Sequence, residues 1–149
     1  MKRIAMITML IALVVGGVAA QSWSLQPTYG TVELESGFTP DPYRRSMTAG
    51  GSQSLDGIGY YGYVADAPDL DLVYEAGVFD LTIKIENTSA DTVLLVNSPD
   101  GQWHFNDDFN GLDPSITFES PVSGMYNIWV GTFDGDFADS RLVITELGN

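Results

Sequence analysis

An acidic loop in the second half of the chain carries the clearest chemical pattern. Oxygen-bearing side chains occur at Asn106, Asp108 and Asn110, and Gly111 follows them. This is the spacing of the first half of a calcium loop, D-x-[DN]-x-[DN]-G, in which alternate oxygens of a tight turn converge on one cation. Two more carboxylates lie in the same loop. One interpretation is a calcium site, with calcium as the only expected cofactor, formed by Asn106, Asp107, Asp108, Asn110 and Asp113.

The calcium interpretation has an alternative, because the pattern is incomplete. Position twelve of such a loop is Thr117 here rather than a bidentate glutamate, and no helices flank the loop. Asp100, on a neighbouring turn, could supply a further carboxylate. The alternative is a solvated loop whose Asp and Asn side chains only bond local backbone. A second acidic turn, residues 133–139, has the same two interpretations, and an ordinary hairpin loop is favoured there.

Catalytic groups are scarce in this sequence. His104 is the only histidine, so a Ser-His-Asp triad would have to be built around it. It lies between Trp103 and Phe105 on a predicted strand, which favours a structural role. No GxSxG or HExxH motif occurs, and a zinc site would need more histidine or cysteine. Asp107 and Asp108 are adjacent, so their side chains diverge in extended chain and do not suit glycoside hydrolysis. We therefore predict that the protein is not an enzyme.

Aromatic residues offer a second kind of site. Side chains alternate between the two faces of a strand, so Trp129 and Phe133 face away from the core if Ile128 faces it. Together with Trp103 they could form a stacking platform for sugar rings or for a protein partner. The alternative is that these rings cover the second face of a sheet, or are themselves covered by the N-terminal arm.

The N-terminus predicts export. Lys2 and Arg3 precede an apolar run, and small residues ending at Ala20 follow, which is the order found in a secretory signal peptide. The apolar run is short for a membrane span of about 20 residues. We predict a signal peptide at residues 1–20 and one domain at residues 21–149, periplasmic or secreted and not in the membrane after cleavage. The chain has no cysteine, so no disulfide supports this domain.

The remaining chain is strongly acidic. Without Lys2 and Arg3 it has four basic and twenty acidic residues, a net charge of −16. Such a charge repels phosphate backbones, so nucleic acid is excluded as a partner, and bound cations would relieve the self-repulsion. The sequence does not indicate the oligomeric state.

Hydrophobic periodicity predicts an all-β fold. From Phe79 to Glu86 apolar and polar residues alternate, which is typical of a strand with one wet face. Residues 92–96 are apolar on both faces, as a central strand is. Residues 72–74 read as a brief edge strand, and residues 39–57, rich in Pro, Gly and Ser, as a region with a long surface loop. Further strands are predicted at residues 31–38, 59–64, 115–118, 125–133 and 141–147. Eight or nine short strands indicate a single antiparallel, jelly-roll-like β-sandwich.

Several segments are similar to one known group. DTVLLVNSPDG, NDDFNGLDPSITF and SGMYNIWVGTF, within residues 91–133, resemble exported bacterial β-sandwich proteins related to the bacterial pre-peptidase C-terminal domain, which includes collagen-binding-like modules. The upstream pieces SGFTPDPY, AGG and GYVADAPDLDLVY also resemble that group. The resemblance implies a module that is usually non-catalytic and sometimes binds calcium. Members often carry a cysteine pair near the positions of Tyr60 and Phe105, which this chain lacks.

The sequence thus favours a non-catalytic exported module that has a binding or structural role and acts on a protein or glycan partner. Calcium could stabilise this module. The alternative, which the resemblance suggests, is a secreted hydrolase or a hydrolase-associated accessory domain. The small supply of histidine and nucleophiles favours the first.

Overall fold

The structure, a computed structural model, describes residues 21–86 and 90–148; the predicted signal peptide lies outside the described residues. Eleven strands and one short 3-10 helix form within these two ranges. The strands are β1 (Thr31–Glu35), β2 (Tyr43–Ala49), β3 (Gln53–Ser54), β4 (Tyr63–Val64), β5 (Leu70–Glu75), β6 (Leu81–Glu86), β7 (Thr92–Asn97), β8 (Trp103–Asn106), β9 (Ser115–Phe118), β10 (Gly124–Thr132) and β11 (Ala138–Thr145), and the 3-10 helix is Asp56–Ile58. In the part that the structure describes, no helix is long and apolar enough to cross a membrane.

The strands form two sheets. The smaller sheet has the order β2-β11-β6-β9 and is antiparallel throughout. The larger sheet is centred on β10, which pairs with β7 along one edge and with β5 and then β4 along the other. β8 extends it beyond β7, β1 beyond β5, and β3 beyond β4. Because β10 pairs with β4, β5 and β7, it is the element that positions the rest of the larger sheet.

The main core lies between the two sheets. Alternate residues of each strand point into it, for example Ile83 on β6, Ile128 on β10 and Leu142 on β11, all fully buried. The period-two pattern of the sequence produces this arrangement, because successive side chains of a strand point to opposite faces. Apolar burial of this kind is the main stabilising contribution to the fold.

A second, smaller core covers the outer face of the larger sheet, the face that points away from the smaller sheet. Trp129, Val93 and Leu95 are fully buried there beneath the segment that contains β3 and the 3-10 helix. Parts of β7 and β10 are therefore buried on both faces, which explains the apolar runs at residues 93–96 and 128–130. Gly131 allows the close approach of β4, since a Cβ at this position would lie 2.1 Å from the carbonyl oxygen of Tyr63.

An aromatic pair closes the same outer core. Tyr60 and Phe105 stack with ring centroids 4.7 Å apart. These are the positions near which the resemblance places a cysteine pair. In this chain the two segments are joined by ring contact rather than by a covalent bond, and aromatic pairs of this kind contribute roughly 0.5–1.5 kcal/mol beyond their buried area.

The prediction of an all-β sandwich is confirmed, with differences in detail. There are eleven strands in the described ranges rather than eight or nine, and β1 pairs with β5 in parallel. The brief edge strand predicted at residues 72–74 is part of β5, which lies inside the sheet between β1 and β10. The Leu and Tyr residues of β5 face the main core, and the segment is an internal strand rather than an edge.

Two predicted connections also differ from the structure. The region 39–57 contains β2, an edge strand of the smaller sheet that starts directly after Pro42; a proline there removes no ladder hydrogen bond. The predicted strand at residues 59–64 is limited to Tyr63–Val64. The acidic turn at residues 133–139 is not a hairpin loop, because β10 belongs to the larger sheet and β11 to the smaller one. It carries the chain from one sheet to the other.

Candidate functional site

A groove of about 540 Å³ lies on the outer face of the larger sheet. We call it the outer-face groove. Trp23, Trp103 and Met125 supply its apolar walls, and Asn97 and Asn127 supply polar groups. Its size falls within the range of about 300–1,000 Å³ that is typical of small-molecule sites in proteins. Apolar walls with a few convergent polar groups are also the usual composition of such sites.

Strand register aligns a row of four residues, of which Asn127 and Asn97 form the floor of the groove and Trp103 lines its side. Asp71 on β5 lies opposite Asn127 on β10, which lies opposite Asn97 on β7, which in turn lies opposite Trp103 on β8. All four side chains point to the outer face, because their neighbours along each strand point into the main core. The Nδ2 of Asn127 donates to Oδ1 of Asp71 over 2.8 Å. We call Asp71, Asn127 and Asn97 the polar row.

Two indoles lie above this floor. Trp103 is half-buried and packs on the fully buried Trp129, with ring centroids 5.4 Å apart. Trp23 comes from the N-terminal arm and is 60% exposed. The arm is held by the backbone bond from Ser22 N to Asp66 O at 3.1 Å. Trp103 is therefore fixed by packing beneath it, while Trp23 presents most of its surface to solvent.

Burial raises the pKa of two carboxyls on this face. Desolvation raises the pKa of Asp71, and the hydrogen bond from Asn127 partly opposes it. Desolvation also raises the pKa of Asp69 to about 7, although its Oδ2 accepts a hydrogen bond of 2.7 Å from Val130 N. No Lys or Arg lines the groove among the described residues. The groove thus offers hydrogen-bonding groups and flat rings without a cation that would attract an anionic ligand.

The predicted aromatic platform of Trp103, Trp129 and Phe133 is not present as a unit. Trp129 does face away from the main core, but it is fully buried in the second core and cannot stack on a ligand. Phe133 is exposed at the other end of β10, beyond Thr132, whereas Trp103 lies near its start. Only Trp103 of the three lines the groove. The alternative interpretation, that rings cover the second sheet face, is correct for Trp129.

Sequence reasoning missed the residues that complete the site. Trp23 lies in an arm without periodicity, and Asn97 and Asn127 are separated by 30 positions. The single signal available was that polar side chains interrupt the outward positions of otherwise apolar strands. Such an interruption indicates that the face is partly solvated there, but it does not say which strands meet.

The predicted calcium residues are divided between different surroundings. Oδ1 of Asn106 accepts a hydrogen bond of 2.9 Å from Ser115 N, as expected of a loop that bonds its own backbone. Asn110 and Asp113 form a backbone bridge, with Asn110 N to Asp113 O at 3.1 Å. Burial raises the pKa of Asp113, and the charge of Glu86 raises it further. Asp107 and Asp108 instead lie within electrostatic range of another carboxyl, Asp91.

A calcium site would need these oxygens to converge on one point. Within the described ranges, no three Asp, Glu or His side chains are grouped so that they could hold a metal ion. One oxygen of the set is without a described partner: Oδ1 of Asp113 is buried and accepts no hydrogen bond. The described positions of these side chains do not form a calcium shell, and calcium binding stays a prediction.

The structure brings Ser98 to the sole histidine, a contact that the sequence did not predict. Oγ of Ser98 lies 3.0 Å from Nε2 of His104 and donates to Oδ1 of Asp100 over 2.5 Å. In a catalytic triad the carboxylate would bond the second ring nitrogen, and the serine would donate to the histidine. Here the Ser98 hydroxyl instead donates to the carboxylate of Asp100. Ser98 is also buried, and its backbone closes the turn between β7 and β8.

The Ser98 network is therefore structural. The hydrogen bond from Ser98, together with the one from Gln102 N, lowers the pKa of Asp100. His104 packs edge-on against Phe118, with ring centroids 4.8 Å apart. These contacts hold the turn between β7 and β8, which forms one side of the outer-face groove. The structural role predicted for His104 agrees with them.

No protein-family model matches this chain, and a search of curated proteins finds no match either. Among solved structures, the chain is similar to PliG of Aeromonas hydrophila, described as a periplasmic lysozyme inhibitor of g-type lysozyme. The identity is 16%, and the match covers 77% of this chain and 96% of that chain with a TM-score of 0.40. A similarity of this degree does not assign the chain to a family.

Proposed function

We propose that this chain is a non-catalytic exported module that binds an uncharged saccharide in the outer-face groove. The observation that carries the proposal is the geometry of that groove, which Trp23 and Trp103 line together with Asn97 and Asn127. The export part rests on the signal-peptide pattern of residues 1–20. We propose in addition that the chain is related to pre-peptidase C-terminal domains, as its resemblance to them suggests. Modules of that group are usually non-catalytic.

Sugar rings suit the groups in this groove for a physical reason. A pyranose has an apolar C–H face, which packs on an indole, and a rim of hydroxyls, which need donors and acceptors in one plane. Asn97 and Asn127 line the groove and carry both kinds of group. The net charge of −16 on the residues beyond residue 20 disfavours anionic ligands. The groove offers ring faces and amides, and no Lys or Arg is among the described residues that line it. It therefore favours a neutral sugar over an acidic one.

Calorimetric titration with soluble oligosaccharides tests this proposal. The panel consists of neutral hexasaccharides of glucose, xylose, mannose and N-acetylglucosamine, with a galacturonate oligomer as the anionic comparison. We expect a neutral member to bind and the galacturonate oligomer not to bind. The absence of binding by every neutral oligosaccharide would overturn the saccharide proposal.

Substitutions assign the binding to the groove. Trp23→Ala removes an exposed ring, and loss of about 1 kcal/mol of stacking weakens binding about fivefold. Asn97→Ala removes one polar group of the floor and is expected to weaken binding as well. Tyr61→Ala is the matched control, since Tyr61 is equally exposed but lies at the other end of the sandwich. Equal losses in Trp23→Ala and Tyr61→Ala would contradict binding in the groove.

The competing hydrolase interpretation is tested separately. The mature chain is incubated with casein and with chromogenic glycosides and esters. We expect no turnover, because Ser98 is buried and its proton is directed to Asp100 rather than to His104. Turnover that disappears in a His104→Ala variant would overturn the non-catalytic part of the proposal.

A further inference from the structure

The end of the sandwich away from the outer-face groove exposes four aromatic rings. Phe137 is 74% exposed and Tyr61 is 64% exposed, and Tyr63 and Phe133 are also accessible. These four are among thirteen large apolar side chains that are exposed in the described residues. Scattered single apolar residues are normal on protein surfaces, but a group of aromatics on one surface typically marks an interaction site.

Backbone contacts hold the segments that carry these rings together. A Cβ at Gly135 would lie 3.2 Å from the ring of Tyr63, so the loop at residues 133–137 packs directly on β4. Phe133 N donates to the carbonyl oxygen of Asp91 over 2.9 Å, which joins the loop to the start of β7. The rings are thus displayed on backbone that neighbouring strands support, and little ordering is needed before a partner binds.

Carboxylates surround the rings. Asp134 and Asp136 lie in the loop itself, and Asp91 lies beside it. Burial raises the pKa of Asp91, and the nearby charges of Asp108, Asp107 and Asp134 raise it further. We call this surface the acidic end, which consists of Tyr61, Tyr63, Asp91, Asp107, Asp108, Phe133, Asp134, Asp136 and Phe137.

Among the residues that the structure describes, no Lys or Arg belongs to the acidic end. The basic residues beyond residue 20 are all on strands of the smaller sheet: Arg44, Arg45, Lys84 and Arg141. The two salt bridges found within residues 21–86 and 90–148 both use Glu86. None of the five carboxylates of the acidic end therefore has a salt-bridge partner in the part that the structure describes. The four basic residues beyond residue 20 thus lie outside the acidic end.

We propose that the acidic end is a docking surface for a basic segment of another protein. Arginine and lysine side chains of such a segment would pair with the carboxylates and stack over the faces of the tyrosine and phenylalanine rings. Both contacts favour the same cationic partner, because a ring face attracts cations as a carboxylate does. Charge complementarity also speeds the encounter with a basic partner. The surface is separate from the outer-face groove, so this proposal does not depend on saccharide binding.

Fluorescence anisotropy with a labelled arginine–glycine repeat peptide at physiological salt tests the docking surface. The variant Asp134→Asn/Asp136→Asn removes two charges from the acidic end and is expected to weaken binding about tenfold. The control Glu33→Gln/Glu35→Gln removes the same two charges from exposed positions of β1. We expect the control to change the affinity less than about twofold. Equal weakening in both variants would show general attraction to an acidic protein and would overturn the proposal.

The aromatic rings are tested at constant charge. The variant Tyr61→Ala/Phe137→Ala is expected to weaken peptide binding about tenfold, since each ring contributes a cation–π contact. Phe79→Ala is the control, because Phe79 is exposed next to the start of β6 and outside the acidic end. Unchanged affinity in the double variant would overturn the proposal.

Sedimentation of the chain alone decides between a foreign partner and a second copy. We expect a monomer at the concentrations used for binding. Self-association that disappears in Asp134→Asn/Asp136→Asn would mean that Arg44 and Arg45 of another copy occupy the acidic end, which would overturn docking of a foreign segment.

Discussion

Replacing Asp69 by asparagine should make the stability of this protein less sensitive to pH. The Asp69 carboxyl is buried where β5 begins, and desolvation raises its pKa from the usual 3.8 to about 7 in the folded state. The folded state therefore holds this proton more tightly than the unfolded state between these two values. Stability from this group is fully present below about pH 4 and is lost as the pH rises towards 7.

The size of the effect follows from the difference between the two pKa values. Each unit is worth about 1.4 kcal/mol, so the charged carboxyl costs the folded state roughly 4 kcal/mol above pH 7. The Asp69→Asn side chain keeps an oxygen that can accept from Val130 N, but its amide N–H groups lack described partners and cost about 1 kcal/mol or more. That cost does not depend on pH. The free energy of unfolding of the variant minus that of wild type should therefore increase by about 3 kcal/mol between pH 4.5 and pH 8.

Urea denaturation followed by the fluorescence of the buried Trp129 measures this difference at several pH values. Asp56→Asn is the control, since Asp56 is exposed and its substitution changes the net charge equally. The control should show a shift below about 0.5 kcal/mol over the same range. A shift below about 1 kcal/mol for Asp69→Asn, or one of the opposite sign, would show that water reaches this carboxyl and would refute the reasoning.

Three further predictions concern packing and metal binding. Ile128→Ala should lower the free energy of unfolding by about 2–5 kcal/mol in urea denaturation, and a cost below about 1 kcal/mol would contradict its place in the core. Gly131→Ala should cost about 1–3 kcal/mol or prevent folding, because its Cβ would meet the carbonyl oxygen of Tyr63; wild-type stability would show that β4 does not approach β10. Calcium should raise the melting temperature by about 3–6 °C at constant ionic strength, more than magnesium does, and the increment should vanish in Asp108→Ala; equal increments would leave only a solvated acidic loop.

Sequence patterns were sufficient where the cause of structure is local. Alternation at residues 79–86 predicted β6 because a strand places successive side chains on opposite faces. The apolar run at residues 92–96 predicted a central strand, β7, because a strand that is apolar on both faces is stable only when both faces are buried. The absence of helical periodicity predicted the fold class for the same reason. These signals lie within a few consecutive residues, so no knowledge of the partner strands was needed.

What depends on distant residues required the tertiary structure. The polar row exists because strand register aligns Asp71, Asn127 and Asn97, and register is a property of paired strands rather than of one segment. The burial of Trp129 also depends on distant residues. The face of the strand to which its side chain points was predictable, but the segment that covers it lies more than 60 positions away in the sequence. The acidic end likewise forms only when the chain crosses from one sheet to the other after β10. The sequence by itself determined the fold class and most of the strands, while long-range pairing decided which faces meet and hence where a ligand can bind.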